Sequence, residues 1–271
     1  MCALRADESE TRLVHPNWAL FLDVDGTLLD LAPVPSAVIV PHGLIRDLEQ
    51  LRRALRGALA LVTGRSIVCI DRLFSPLRLP VAGQHGAELR TCARGAAMSI
   101  APPIASREWR ARLKMLARQY RELIIEDKGL TIAVHYRNIP AAARQVDETL
   151  ERFAAEDSRF VVQRGDRVSE LRSRTATKGT ALTSMMEHKN FLGRMPIMVG
   201  NDQADEDAYE AAFTLGGKGL RVGHGVGARV RDFSAPEAVR HWLSASAKAL
   251  AHHPPRVADH ETCGKAVNGT L

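Results

Sequence analysis

Apolar and polar positions follow two rhythms along this chain. In the first, short unbroken apolar runs stop abruptly in polar clusters. Trp18-Ala-Leu-Phe-Leu22 runs into Asp23-Val-Asp25-Gly-Thr27, Ala58-Leu-Ala-Leu-Val62 into Thr63-Gly64-Arg65, and Met195-Pro-Ile-Met-Val199 into Gly200-Asn-Asp-Gln-Ala-Asp205. Runs this short and this apolar predict strands of a parallel sheet, buried on both faces. Between the first two, Leu44, Ile45, Leu48, Leu51 and Leu55 recur at helical spacing behind Pro41, and Gly57 ends the pattern. Pro41 suits a first helical turn, and one apolar stripe suits a helix lying on a sheet. Strand, helix and strand then form a right-handed parallel unit.

Later segments repeat the theme. Thr177-Lys178-Gly179 opens a helix to about His188, Ala208 to Phe213 is a further helix, and Gly219 to Val222 a further strand. Ser234-Ala-Pro-Glu237 has capping-box spacing and starts a last helix that carries Val239, Trp242 and Leu243.

The second rhythm occupies the middle. A helix is expected from Arg107 to Leu123, with Trp109, Leu113, Leu116 and Tyr120 on one side. Ile124 to Lys128 and Thr131 to Arg137 read as two strands around a Gly129 turn, Pro140 to about Glu156 as a helix, and Arg159 to Gln163 as a strand. The expected fold class is therefore α/β: a doubly wound, Rossmann-like parallel sheet with a smaller inserted α/β unit. The core is assigned to residues 1–83 and 168–250, with the parallel pattern resuming at Val168, and the insert to 84–167. Residues 1–17 read as a loose leader, Ala32 to Ser36 as a loop, and 251–271 as a disordered tail.

Composition narrows the function classes. With 271 residues, 45% hydrophobic and 25% charged, the chain has the balance of a globular protein that buries a sizeable core. Aromatics are only 5%, and the net charge of +6 is spread over scattered arginines. Neither a base-stacking surface nor a basic arm is present, so nucleic acid is not an expected partner. No apolar run is long enough to span a bilayer, and the first residues lack the apolar core of a signal peptide. Cys2, Cys69, Cys92 and Cys263 show no metal-ligand spacing and read as thiols of a reducing compartment, so the expected location is cytoplasmic.

Strand ends are where open α/β sheets bind ligands. Here they bring two carboxylates one residue apart, a hydroxyl beside an arginine, an acidic loop, and a lysine at a helix start. That inventory suits phosphoryl transfer. One carboxylate attacks phosphorus, a second handles protons, a hydroxyl and an ammonium hold phosphoryl oxygens, and a hard cation such as magnesium neutralises charge.

The ordered set Asp23-Val-Asp-Gly-Thr27, Thr63, Lys178 and Gly200-Asn-Asp-Gln-Ala-Asp205 resembles the four motifs of the haloacid dehalogenase superfamily of phosphatases. The resemblance implies Asp23 as nucleophile and Asp25 as general acid/base, with Thr63 and Lys178 binding phosphate. It further implies a Mg²⁺ site built from Asp23, Asp25 and the Asn201, Asp202 and Asp205 loop. Thr63-Gly-Arg65, Gly83-Gln-His-Gly86 with Glu88, Glu126-Asp-Lys128, His135-Tyr-Arg137, Glu170 and Thr177-Lys-Gly179 narrow it. Together these resemble the trehalose-6-phosphate phosphatases, over roughly residues 18–245. The insert then corresponds to a mobile cap. Gly64, Arg65, His85, Glu126, Lys128, Arg137 and Glu170 become substrate-binding candidates, with a sugar phosphate as ligand. Glu126 and Lys128 lie two apart on a strand and share a face, as do His135 and Arg137.

Two positions depart from that pattern: Thr63 where serine is usual, and Asn201 where the acidic loop usually has aspartate. The second removes a negative charge from the metal site. Another sugar phosphate as substrate, or a sugar-phosphate-binding protein with weak turnover, therefore remain as alternatives.

Overall fold

The computed structural model describes residues 13–32, 37–104, 106–223 and 232–252. Most of the expected leader, most of the Ala32–Ser36 loop, Cys2, Cys263 and the tail beyond residue 252 lie outside the described residues.

The chain opens with β1 (Trp18–Leu22), α1 (Leu44–Ala54), β2 (Leu59–Val62), α2 (Ile67–Leu73), β3 (Val81–Gly83), β4 (Glu88–Arg90) and β5 (Met98–Ser99). It continues through α3 (Arg107–Gln119), β6 (Ile124–Asp127), β7 (Ile132–His135), α4 (Ala143–Glu156), β8 (Phe160–Gly165) and β9 (Val168–Ser173). It closes with α5 (Lys178–Met186), β10 (Met195–Gly200), α6 (Glu206–Thr214), β11 (Lys218–Arg221) and α7 (Pro236–His252).

Two sheets result. The larger has the order β11-β10-β1-β2-β3-β4-β5, parallel from β11 to β3 and antiparallel beyond. From β1 the chain moves outward to β2, whereas from β10 it moves the other way to β11. Right-handed crossovers in opposite directions put their helices on opposite faces, and the gap between β1 and β10 is the switch point where such sheets bind ligands. Register completes the placement. Leu22 pairs with both Val199 and Leu61, so Asp23, Asn201 and Thr63 emerge at one edge, within a residue of each other. Beneath them Ala19 to Leu22 and Leu59 to Val62 are fully buried, and Phe21 stacks on Phe191 at 5.3 Å.

The smaller sheet is antiparallel, with the order β6-β7-β9-β8. Its strands have two unlike faces, as period-two alternation requires. Ile132, Val134 and Leu171 join Trp109, Val146, Leu150, Phe153 and Phe160 in one core under α3 and α4. Trp109 stacks on Phe153 at 5.0 Å and meets the edge of Phe160 at 5.7 Å. The alternate positions Ala133 and His135 turn the other way and line a cavity against the larger sheet.

The expected boundaries need correction at both ends. β4 and β5 extend the large sheet to residue 99, beyond the expected limit at 83. β9 pairs with β7 and β8, so residues 168–173 belong to the small sheet and not to the core. Val168-Ser-Glu-Leu171 alternates like any half-buried strand, and alternation does not say which sheet it joins. α7 continues to His252, past the expected start of the tail at 251. Among the described residues Cys69 is a free thiol. Among the described residues no helix is long and apolar enough to cross a membrane.

Candidate active site

Lys178 is the hub of the cluster at the switch point. It opens α5, whose first turn is fixed by a capping box in which the Thr177 and Thr180 side chains each accept from the other's backbone N–H. The Lys178 Nζ then lies 2.8 Å from Asp23 Oδ1 and 2.7 Å from Asp205 Oδ1, with all three side chains at most 5% exposed. Burial pushes the Asp23 carboxyl well above its ordinary range, against the pull of the ammonium. Burial also raises Asp205, to about 6. For Lys178 burial acts against the charge, but Asp205 and Asp23 outweigh it and hold the amine protonated. One cation thus faces two buried carboxylates, with Asp202 close enough to add its field.

The acidic loop is shaped by hydrogen bonds. Asp205 Oδ2 accepts from the backbone N–H groups of Asn201 and Asp202, at 2.9 and 3.1 Å. Gly200 permits this, since a Cβ there would sit 2.4 Å from the Asp205 carboxyl carbon. Asp205 thereby orients its neighbours, with one oxygen on Lys178 and the other on the loop backbone. Asp202 lines the cavity, and although burial acts to raise it, Lys178 holds it below its ordinary range.

Asn201 closes the other side. One terminal atom of its amide lies 3.0 Å from each of Asp23 Oδ2, the Asp25 carbonyl oxygen and Thr27 Oγ1. With oxygen in that position, Thr27 donates to it, the Asp25 carbonyl has no proton to offer, and Asp23 Oδ2 has one only in the protonated acid. With nitrogen there, its hydrogens are shared among three acceptors. Gly26, at φ +81°, makes the turn that brings these groups together; a Cβ on it would meet the Asn201 amide nitrogen at 2.3 Å.

A divalent cation fits this donor set. Adjacent ligands of an octahedral magnesium ion at about 2.0–2.1 Å lie roughly 3 Å apart, the spacing from the Asn201 atom to the Asp23 and Asp25 oxygens. The set mixes one carboxylate, one peptide carbonyl and one amide. Accordingly no group of three His, Cys, Asp or Glu side chains converges as a metal site among the described residues.

The remaining predicted residues line the cavity or join its two walls. It has a volume of about 940 Å³, with Asp25, Gly64, Arg65 and Asn201 on the large-sheet side and Glu126, Lys128 and Glu170 among those opposite. Arg65 grips Asp25 with Nε and Nη2 at 2.7 Å each, so both Asp25 oxygens are engaged. Thr63 is buried and its hydroxyl oxygen accepts from the Arg65 backbone N–H at 3.1 Å. Asp23, Thr63 and Lys178 sit behind the wall, not on it.

A latch spans the gap. Lys128 Nζ donates to the Gly64 carbonyl at 2.9 Å and to Glu170 Oε1 at 3.1 Å, while Glu170 Oε2 lies 2.9 Å from His85 Nε2. Thr131 donates its backbone N–H to Gln84 Oε1 at 3.2 Å alongside. Glu126 lies 3.2 Å from His135 Nε2 and 3.9 Å from Lys128, as their shared face requires. Arg137 lines the cavity but is turned to Asp166, 2.7 Å away, on the β8–β9 turn. The end of β8 also brings Gln163 and Arg164 to the wall, and β11 brings Arg221, paired to Glu206. Sequence reasoning missed these; only alternation along β8 could have flagged Gln163.

The latch has a defined pH range. Burial alone would raise Glu170, but Lys128 and His85 hold it well below the ordinary 4.5. Burial alone would lower Lys128, but Glu170 and Glu126 raise it above 10.5. A depressed carboxylate contributes stability above its unfolded value and loses it as pH falls through the folded one. A raised lysine contributes below its unfolded value and loses it as pH rises through the folded one. Hydrogen exchange of β6 and β9 amides, corrected for intrinsic rates, should therefore lose protection as pH falls well below 4.5 and as it rises above 10.5, where Glu170 and Lys128 lose their charges.

Comparison with known proteins resolves the family. Residues 21–235 match the profile of the family described as trehalose-phosphatase. The chain belongs to the trehalose-phosphatase family. Among its family relatives, the "probable trehalose-phosphate phosphatase" of Sinorhizobium fredii is 39% identical over 234 residues, 85% of this chain and 88% of the relative. The "trehalose-6-phosphate phosphatase" of Escherichia coli is 33% identical over 242 residues, 89% of this chain and 91% of the relative. The fold of this trehalose-phosphatase family member resembles the C-terminal domain of C. albicans trehalose-6-phosphate phosphatase. The TM-score is 0.72 at 17% identity, over 86% of this chain and 93% of that one.

Proposed function

We propose that this chain hydrolyses trehalose 6-phosphate to trehalose and inorganic phosphate, in trehalose biosynthesis, with Mg²⁺ as the metal. The observation that carries the reading is the buried Asp23–Lys178–Asp205 cluster, set behind a cavity whose opposite wall presents Glu126, Lys128 and Glu170. Asp23 attacks phosphorus and the bond from phosphorus to the sugar oxygen breaks. Asp25 gives its proton to that leaving oxygen. A water then attacks the aspartyl phosphate, Asp25 takes a proton from it, and phosphate leaves with Asp23 restored. Thr63 and Lys178 hold the equatorial oxygens. Asp23, the Asp25 carbonyl, Asn201 and Asp202 would hold the magnesium, which when bound offsets charge on the transferring group. Asp205 serves by positioning Lys178 and the loop.

Two contacts must give way for this chemistry. Arg65 has to release one oxygen of Asp25, and the latch has to open to admit the sugar. Glu126, Lys128 and Glu170 then exchange contacts with one another for contacts with sugar hydroxyls. Buried hydrogen-bonding groups of this kind discriminate strongly against ligands that lack the matching hydroxyls.

The test is phosphate release from trehalose 6-phosphate and a panel of other sugar phosphates, with and without a chelator. Release from the trehalose ester, lost with chelator, is expected. Preference for another sugar phosphate would reassign the substrate, and binding without release at saturating magnesium would favour the weak-turnover alternative that Asn201 raises. Glu170→Gln should lower kcat/KM for trehalose 6-phosphate about 100-fold. The same variant should leave hydrolysis of p-nitrophenyl phosphate, which has no sugar to recognise, within a few-fold of the parent.

A further inference from the structure

Asn201 can turn either atom of its amide toward Asp23, Asp25 and Thr27, and the two orientations make different contacts. With Nδ2 inward, its hydrogens bridge Asp23 Oδ2, the Asp25 carbonyl and Thr27 Oγ1, each 3.0 Å away. With Oδ1 inward and Asp23 ionised, as a bound cation requires, only Thr27 can donate to it, and three oxygens converge with a spacing that suits one cation. The orientations differ by a half-turn of one amide, which needs no backbone movement.

We propose that Asn201 is an exchangeable stand-in for the metal: its Nδ2 cross-links Asp23, Asp25 and Thr27 in the metal-free protein, and the amide turns to offer Oδ1 when the ion binds. This rests on the reading of Asp23, Asp25 and Asn201 as a metal site. A carboxylate at position 201 could do only the second of these jobs. In the metal-free protein it would face Asp23 Oδ2 and the Asp25 carbonyl with no hydrogen to give either, and Lys178 is already shared between Asp23 and Asp205. The asparagine therefore trades metal affinity for a site that stays assembled without the ion.

The experiment is thermal denaturation of the parent and Asn201→Asp in chelator and in saturating Mg²⁺, with metal affinity measured by calorimetry. In chelator the variant should melt about 3–8 °C below the parent, from lost hydrogen bonds and like-charge crowding. Magnesium should then raise the Tm of the variant more than that of the parent, and bind it on the order of tenfold more tightly. Equal melting in chelator, or an equal magnesium response, would overturn the inference while leaving the metal site in place. No magnesium response in either protein would overturn the metal site as well.

A second measurement covers a variant that fails to fold. In parent protein labelled with ¹⁵N-asparagine, the Asn201 side-chain NH₂ resonances should shift when Mg²⁺ replaces chelator, as their acceptors change. Resonances that stay put at saturating magnesium would overturn the proposal.

Discussion

Asp23→Asn should abolish phosphate release, by roughly 10⁴-fold or more, because an amide oxygen is too weak a nucleophile to form the acyl phosphate. The fold should survive. The substituted side-chain amide would still offer an oxygen to Lys178, and Asp205 remains as the charge partner of that ammonium. Burial already disfavours the ionised form of Asp23, so a neutral replacement removes a strained charge. Single-turnover assays with trehalose 6-phosphate, beside circular dichroism and a melting curve, separate the two effects. Turnover within tenfold of the parent would remove Asp23 from its assigned role.

Lys178→Met should fail on both counts. It leaves Asp23 and Asp205 buried, adjacent and without their shared cation. Breaking a buried pair by deleting one partner costs about 3–5 kcal/mol. For a chain of this size that corresponds to a fall in Tm of roughly 6–20 °C. Loss of a preorganised charge on the transferring phosphoryl group costs a further factor of roughly 10²–10³ in kcat. A double variant, Lys178→Met with Asp205→Asn, removes one of the stranded charges. It should regain part of the lost stability and none of the lost activity; if stability does not return, the carboxylates are not what destabilises the single variant.

The large sheet is legible in the sequence because its chemistry sits where uniform apolar runs stop. Leu20 to Leu22, Leu59 to Val62 and Ile197 to Val199 are buried on every side, so no alternation blurs their ends. The weaker elements are not legible. β4 and β5 are three and two residues long, too short for any period to declare itself. α2 buries only Ile67 and Ile70, and its N-terminus is fixed by Ser66 and by Glu88 from a distant strand, a tertiary contact that local sequence does not carry. The sequence pattern finds the first three strands of the small sheet and misassigns its last, since β9 looks the same from either side of the boundary.

At the site, the motifs locate the residues but do not divide the labour among them. Asp202 and Asp205 read alike as metal ligands. Only the geometry separates a carboxylate facing the cavity from one with both oxygens spent on Lys178 and the loop backbone. Likewise Arg65 reads as a substrate contact, and its grip on Asp25 emerges only once the strand ends are brought together.

The join between the sheets is uneven. From β9 to α5 the chain crosses in residues 174–177, while the outward passage between β5 and α3 spans 100–106. Glu170 and Lys178 thus sit on either end of one short tether, the residue proposed to meet the sugar at one end and the ammonium proposed to hold phosphate at the other. A roof that swings about so short a tether has its fulcrum beside the reacting atoms. A rotation about that tether would sweep the far rim through a wide arc and displace Lys178 least.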